Sequence, residues 1–169
     1  SGGVSQTAGK ILNVDTVTVN TRGSVTLDQN NTITTVAGIT YGGDVRLNDL
    51  DGLVFTGGIG RYTSGANAIN VTTTGLLDLG GQLFKGQTTA FFGNGITSSG
   101  GNIDGNTGPV LINAGGGSIT LNATPIDTSG DVTIRNASGG VLLGSITGDT
   151  ATAANTLTIG VDGDISGSV

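Results

Sequence analysis

Apolar and polar residues alternate along this chain in short bursts, and each burst predicts a strand of about five residues rather than a helix. Val17-Thr18-Val19, Val45-Arg46-Leu47, Ile69-Asn70-Val71, Val132-Thr133-Ile134 and Leu157-Thr158-Ile159 follow the pattern, and Val110-Leu111-Ile112 is its fully apolar version. A period of two sends successive side chains to opposite faces of a sheet, so most of these segments have one aliphatic side and one polar side. No window of useful length carries an apolar stripe with a 3.6-residue period, so no helix is predicted.

The bursts recur. Gly-x-apolar starts stand at Gly3, Gly23, Gly52, Gly75, Gly101, Gly117, Gly139 and Gly163, about 16 to 29 residues apart. The third position of each unit is occupied by Ser5, Val25, Val54, Leu77, Ile103, Ile119, Val141 and Ile165, nearly all of them branched aliphatics. Gly43-Asp44-Val45 leads to Asn67-Ala68-Ile69 as Gly130-Asp131-Val132 leads to Asn155-Thr156-Leu157, with offsets that differ by one residue. Gly23-Ser24-Val25-Thr26-Leu27 with Ile33 is echoed by Gly117-Ser118-Ile119-Thr120-Leu121 with Ile126. Short strands, Gly and Asn at corners and a mean period near ~23 residues predict an all-β parallel β-helix, a β-solenoid of about seven irregular coils with three short faces each. At ~4.8 Å per coil the rod would be roughly 35 Å long. An antiparallel sandwich would also give many short strands, but it normally buries several large aromatics and needs no such recurrence. Neither end reads as a closing cap, so residues 1–169 are expected to be a single solenoid segment of a longer array.

Composition narrows the chemistry. Gly occupies 33 positions and aromatics only 4%, which predicts a thin core, while 35% hydrophobic and 11% charged residues argue against a disordered tail. Cys, His, Met and Trp are all absent, which removes disulfides, thiol nucleophiles, His-dependent triads and Cys or His metal sites. The net charge is -6, and the six Lys and Arg are scattered, so no basic stripe is predicted for nucleic acid. All twelve acids are Asp, as suits a turn-rich chain. No apolar run approaches the roughly 20 residues that a membrane helix needs, so membrane insertion is not expected. A chain without cysteine is compatible with life outside the cell.

With these residues in view, Gly117-Ser118-Ile119-Thr120-Leu121-Asn122-Ala123, Gly130-Asp131-Val132-Thr133-Ile134 and Gly163-Asp164-Ile165-Ser166-Gly167 resemble the degenerate repeats of filamentous-haemagglutinin-type bacterial surface proteins. The resemblance covers nearly the whole chain and is strongest after Gly101. It implies a right-handed parallel β-helix, secretion to the bacterial cell surface and service as a stalk or adhesive rod, and it identifies no catalytic residues.

Candidate chemistry is sparse. The stretch from Gly75 to Gly100 carries Phe84, Phe91 and Phe92, which either fill a widened core or form a lateral loop that binds a sugar or a partner surface. Tyr41, Arg61 and Tyr62 form a second set suited to a carbohydrate ring, against solvated corner residues. Asp49 with Asp51 and Asp162 with Asp164 offer paired carboxylates, but two Asp supply too few ligands for calcium and are expected to be solvated turn residues. Carboxylate pairs for glycoside hydrolysis need ~5 to 9 Å separation in a cleft, and adjacent Asp pairs are lacking here. The expectation is a non-enzymatic stalk or adhesive segment of a secreted adhesin, without metal or cofactor. Its partners would be a glycan or a host or environmental surface, or further copies joined end to end or laterally. A carbohydrate-binding module using the aromatic loop is the alternative.

Overall fold

The computed structural model describes residues 2–61, 67–135, 137–147, 156–160 and 165–167, with the side chains of Arg61 and of 165–167 left aside. Its 20 strands join into one continuous system of parallel neighbours and no helix is present among the described residues. Every strand pairing is parallel. The chain is a parallel β-solenoid of about seven turns.

Register settles the length of a winding. On the first face Val4 lies beneath Val25, followed upward by Val45, Ile69, Thr89, Val110, Val132 and Leu157, in steps of 20 to 25 residues. On the second face Leu53, Leu77, Ile96, Ile119, Val141 and Ile165 stack in the same way. The third face runs through Val19, Ile39, Ile59, Phe84, Ile103, Ile126 and Ile146.

These registers correct the glycine count. Gly3 and Gly23 open the first face, Gly52, Gly75, Gly117 and Gly139 open the second, and Gly101 opens the third. Gly163 lies outside the described residues. The apparent long and short coils come from counting three different corners as one. The echo of Gly23 in Gly117 likewise relates two different faces, because any Gly-Ser corner followed by an alternating strand meets the same local demands. The pairing of the Gly43 and Gly130 stretches does hold, since Val45 pairs with Ile69 and Val132 with Leu157 on one face.

The core is a set of aliphatic columns. Val25, Val45, Ile69 and Val110 form one, and Leu27, Leu47, Val71 and Ile112 form a second on the same strands, all 4% exposed or less. Each such side chain contributes about 1.5 to 3 kcal/mol by leaving water. The columns are not uniform. Thr89 interrupts the first one, fully buried with no partner for its hydroxyl. Phe55, Phe84 and Phe91, one from each face, meet edge to face at 5.1 and 5.2 Å between ring centroids. Three of the few aromatics therefore form one cluster that links successive windings of the interior.

Backbone approaches at the corners leave no room for a side chain at certain positions. A Cβ on Gly75 would lie 1.5 Å from the carbonyl oxygen of Asp51, and one on Gly117 would lie 2.4 Å from the backbone nitrogen of Gly95. The corner between the first and second faces also carries a buried polar column. Asn31 stacks on Asp49, and Asp49 on Thr73. The Asn31 amide donates to the carbonyls of Leu27 and Asn48 and accepts from the Leu12 amide, while Gln6 closes the lower end by bonding Asn31. A polar group survives in such an interior because each of its hydrogen-bonding positions is met.

Candidate functional site

The interior claims three of the six residues expected to bind a ligand. Tyr41, Phe84 and Phe91 are all 0% exposed, so they present no face to a sugar. Alternation is the cause: Phe91 occupies the inward position beside Ile112, and Phe84 sits in the third-face column between Ile59 and Ile103. Tyr41 is buried with its hydroxyl donating to the Lys85 carbonyl. The aromatic stretch from Gly75 to Gly100 is thus part of the core and not a lateral loop. The Arg61 side chain and Tyr62 lie outside the described residues, as do Asp162 and Asp164. Phe92 differs from its neighbour: it points outward from the first face and is half-buried.

Asp49 is a second correction, being buried instead of solvated. Its carboxylate accepts from the amides of Ile33 at 2.6 Å and Asp51 at 3.0 Å. Burial, reinforced by the Asp51 charge, holds its pKa above the ordinary 3.8, against the lowering effect of those two amides and the Thr73 hydroxyl. Among the described residues no three acids come together to hold a metal ion.

The outward positions of the first face remain. One row runs up the rod through Arg46, Asn70, Ala90, Leu111 and Thr133. Beside it runs a second row of Asn48, Thr72, Phe92, Asn113 and Arg135. A shallow groove of about 310 Å³ occupies the lower part, lined by Asp28, Arg46, Asn48, Asn70 and Thr72 among others. Within it the Asn48 amide donates to Asn30 at 3.2 Å and the Thr72 hydroxyl to Asn70 at 3.4 Å. Asp44 and Asp131 border the face, and the carboxylate of each accepts from a backbone amide of the winding above, Ala68 at 3.0 Å and Thr156 at 2.9 Å.

The other faces also carry charged residues. On the third, Lys85, Asp104 and Asp127 stack outward, with Lys85 and Asp104 3.6 Å apart. Asp78 points out from the second. Neither Arg46 nor Arg135 has a carboxylate within ion-pair distance among the described residues. The first face therefore brings together Arg46 and Arg135, the bordering carboxylates of Asp28, Asp44 and Asp131, amides, hydroxyls and one aromatic ring. Composition alone did not single it out, because Arg46 and Arg135 are 89 residues apart and meet only through the register. The alternation signal that places Val45 and Leu47 inward does turn Arg46 outward.

In comparisons with known proteins, no family model, no curated protein and no solved structure matches the chain. The architecture by itself defines it as a β-solenoid.

Proposed function

We propose that this chain is a stiff structural segment of a large secreted bacterial surface adhesin, a stalk or adhesive rod without enzymatic activity. The supporting observation is the unbroken parallel pairing from Val4 to Leu157 on one face, in which every winding is bonded along its length to the next. Such a stack resists bending and side loads because many short strands share them, and its outer surface is free to carry contacts. The resemblance of the Gly-Ser-Ile-Thr-Leu and Gly-Asp-Val-Thr-Ile units to adhesin repeats supports the cell-surface setting.

Pulling single molecules from both ends tests the mechanical reading. Windings should peel in steps of about 70 to 85 Å of released chain, as expected for some 20 to 25 extended residues. Immunogold labelling of intact cells tests the location. A single low-force collapse would sink the rod, and labelling confined to the cell interior would sink the surface setting.

A further inference from the structure

We propose that the lower half of the second face, with the corner that leads into it, is a docking surface for a cationic amphipathic segment of a partner protein. Apolar side chains of that segment cover Leu50 and Leu76, and its Lys or Arg groups meet Asp15, Asp51 and Asp78. This goes beyond the mechanical role, which requires no partner.

Exposure marks the surface. Ile11, Leu50, Val54 and Leu76 are 60, 42, 37 and 52% exposed, four large aliphatics that the core does not use. Register brings them together. The Leu12 carbonyl accepts from the Thr32 amide and the Asn31 carbonyl from the Leu50 amide, so Ile11 lies two windings below Leu50. Leu53 pairs with Leu77 and Val54 with Asp78, which sets Leu76 on the next winding beside Gly52. The four span three steps between windings, roughly 14 Å at ~4.8 Å each. Grouped apolar side chains with a polar rim are what a protein partner covers. Next to them lies a groove of about 490 Å³, lined by Asn13, Asp15, Thr32, Thr34 and Asp51 among others. Hydroxyls, an amide and two carboxylates suit an ammonium or guanidinium group.

Charge then selects the partner. The second face and its corners, residues 11–18, 30–37, 50–57, 74–82, 94–100, 115–125 and 138–145, hold Asp15, Asp51 and Asp78 and no Lys or Arg. Lys10 stands at the lower rim, one cation against three acids. The Asp15 and Asp51 carboxylates form no hydrogen bond or ion pair with a described residue, whereas Asp78 accepts from the Gly80 amide. Nucleic acid and anionic lipid headgroups are repelled by the same charges. A small polyamine matches the carboxylates and leaves the aliphatics uncovered.

Calorimetric titration of the 169-residue chain at low salt tests this, using a peptide of about 18 residues with Leu and Lys placed in helical period. Hexalysine is the charge control, and the same peptide with Glu in place of Lys is the apolar control. Binding of the Leu-Lys peptide alone is expected, weakening as salt rises. Leu50→Ser with Leu76→Ser should lower affinity roughly five- to tenfold, and Asp15→Asn with Asp51→Asn roughly three- to tenfold. All four side chains are exposed, so the melting temperature should stay close to that of the parent. Leu83→Ser with Asp127→Asn makes the equivalent change at exposed positions of the third face and should leave affinity unchanged. No binding of the Leu-Lys peptide, equal binding of either control, full affinity in the second-face variants, or an equal loss in the third-face variant would each overturn the proposal. So would sedimentation showing that the second face pairs two copies. None of these results bears on the pulling experiment, so the rod stands or falls separately.

Discussion

The hydroxyl of Tyr41 donates to the backbone carbonyl of Lys85, 44 residues later and two windings higher. A side chain at the third-face corner thereby ties together layers that adjacent strand pairing does not join directly. Tyr41→Phe keeps the ring and leaves that carbonyl without this donor. Chemical denaturation should show a loss of about 1 kcal/mol with an unchanged m value. No loss would mean the bond contributes nothing net.

Thr89 predicts a gain. Its column is otherwise aliphatic, with Ile69 below and Val110 above, and its buried hydroxyl has no partner. Thr89→Val has nearly the same shape and removes the orphan group, so stability should rise by about 1 kcal/mol, read as a higher melting temperature. A fall would show that the hydroxyl is satisfied in solution.

At Gly117 a methyl group would collide with the Gly95 backbone nitrogen, and neither chain can withdraw without breaking the coil-to-coil bonds beside it. Gly117→Ala should cost about 3 kcal/mol or more. Gly60→Ala is the control, since a Cβ there meets nothing within 4 Å, and its melting temperature should stay close to that of the parent.

Asp49 sets a pH dependence with a definite sign. Its folded pKa is raised, chiefly by burial, so the folded state holds this proton more tightly than the unfolded chain. The stability it contributes is fully present below the ordinary carboxylate range and is lost as pH rises through the raised pKa. The stability difference between parent and Asp49→Asn, followed by thermal melts across that window, should shrink with rising pH. A difference that grows would mean that the Ile33 and Asp51 amides and the Thr73 hydroxyl outweigh burial.

The aromatic cluster gives a prediction about stability. Phe84 packs perpendicular to both Phe55 and Phe91, so Phe84→Ala should cost about 3 to 5 kcal/mol. Chemical denaturation should read this as a lower midpoint with an unchanged m value, and a loss below about 1 kcal/mol would mean that the neighbouring side chains close the space.

Much of the architecture is written locally. A strand such as Val45-Arg46-Leu47 carries its own alternation, so its inward and outward sides, the short faces and the parallel winding can all be read along the chain. Glycine announces the corners, but every corner of the coil asks for the same small residue. Gly23, Gly52 and Gly101 therefore look equivalent and lie on three different faces. Only pairing between windings distinguishes them, because hydrogen-bond register is a relation between distant segments.

The same limit governs the candidate site. Adjacent Phe91 and Phe92 have identical composition and opposite fates, decided by which of them shares a column with Val71 and Ile112. Asp49 looks like any turn aspartate until Asn31 and Thr73 are stacked on either side of it. Arg46 and Arg135 become members of one surface when four windings are laid over each other. Alternation and turn chemistry are properties of a few consecutive residues and are legible in them. Burial, charge clustering and surface grouping arise from contacts some 20 to 25 residues apart, and these exist only once the chain is wound.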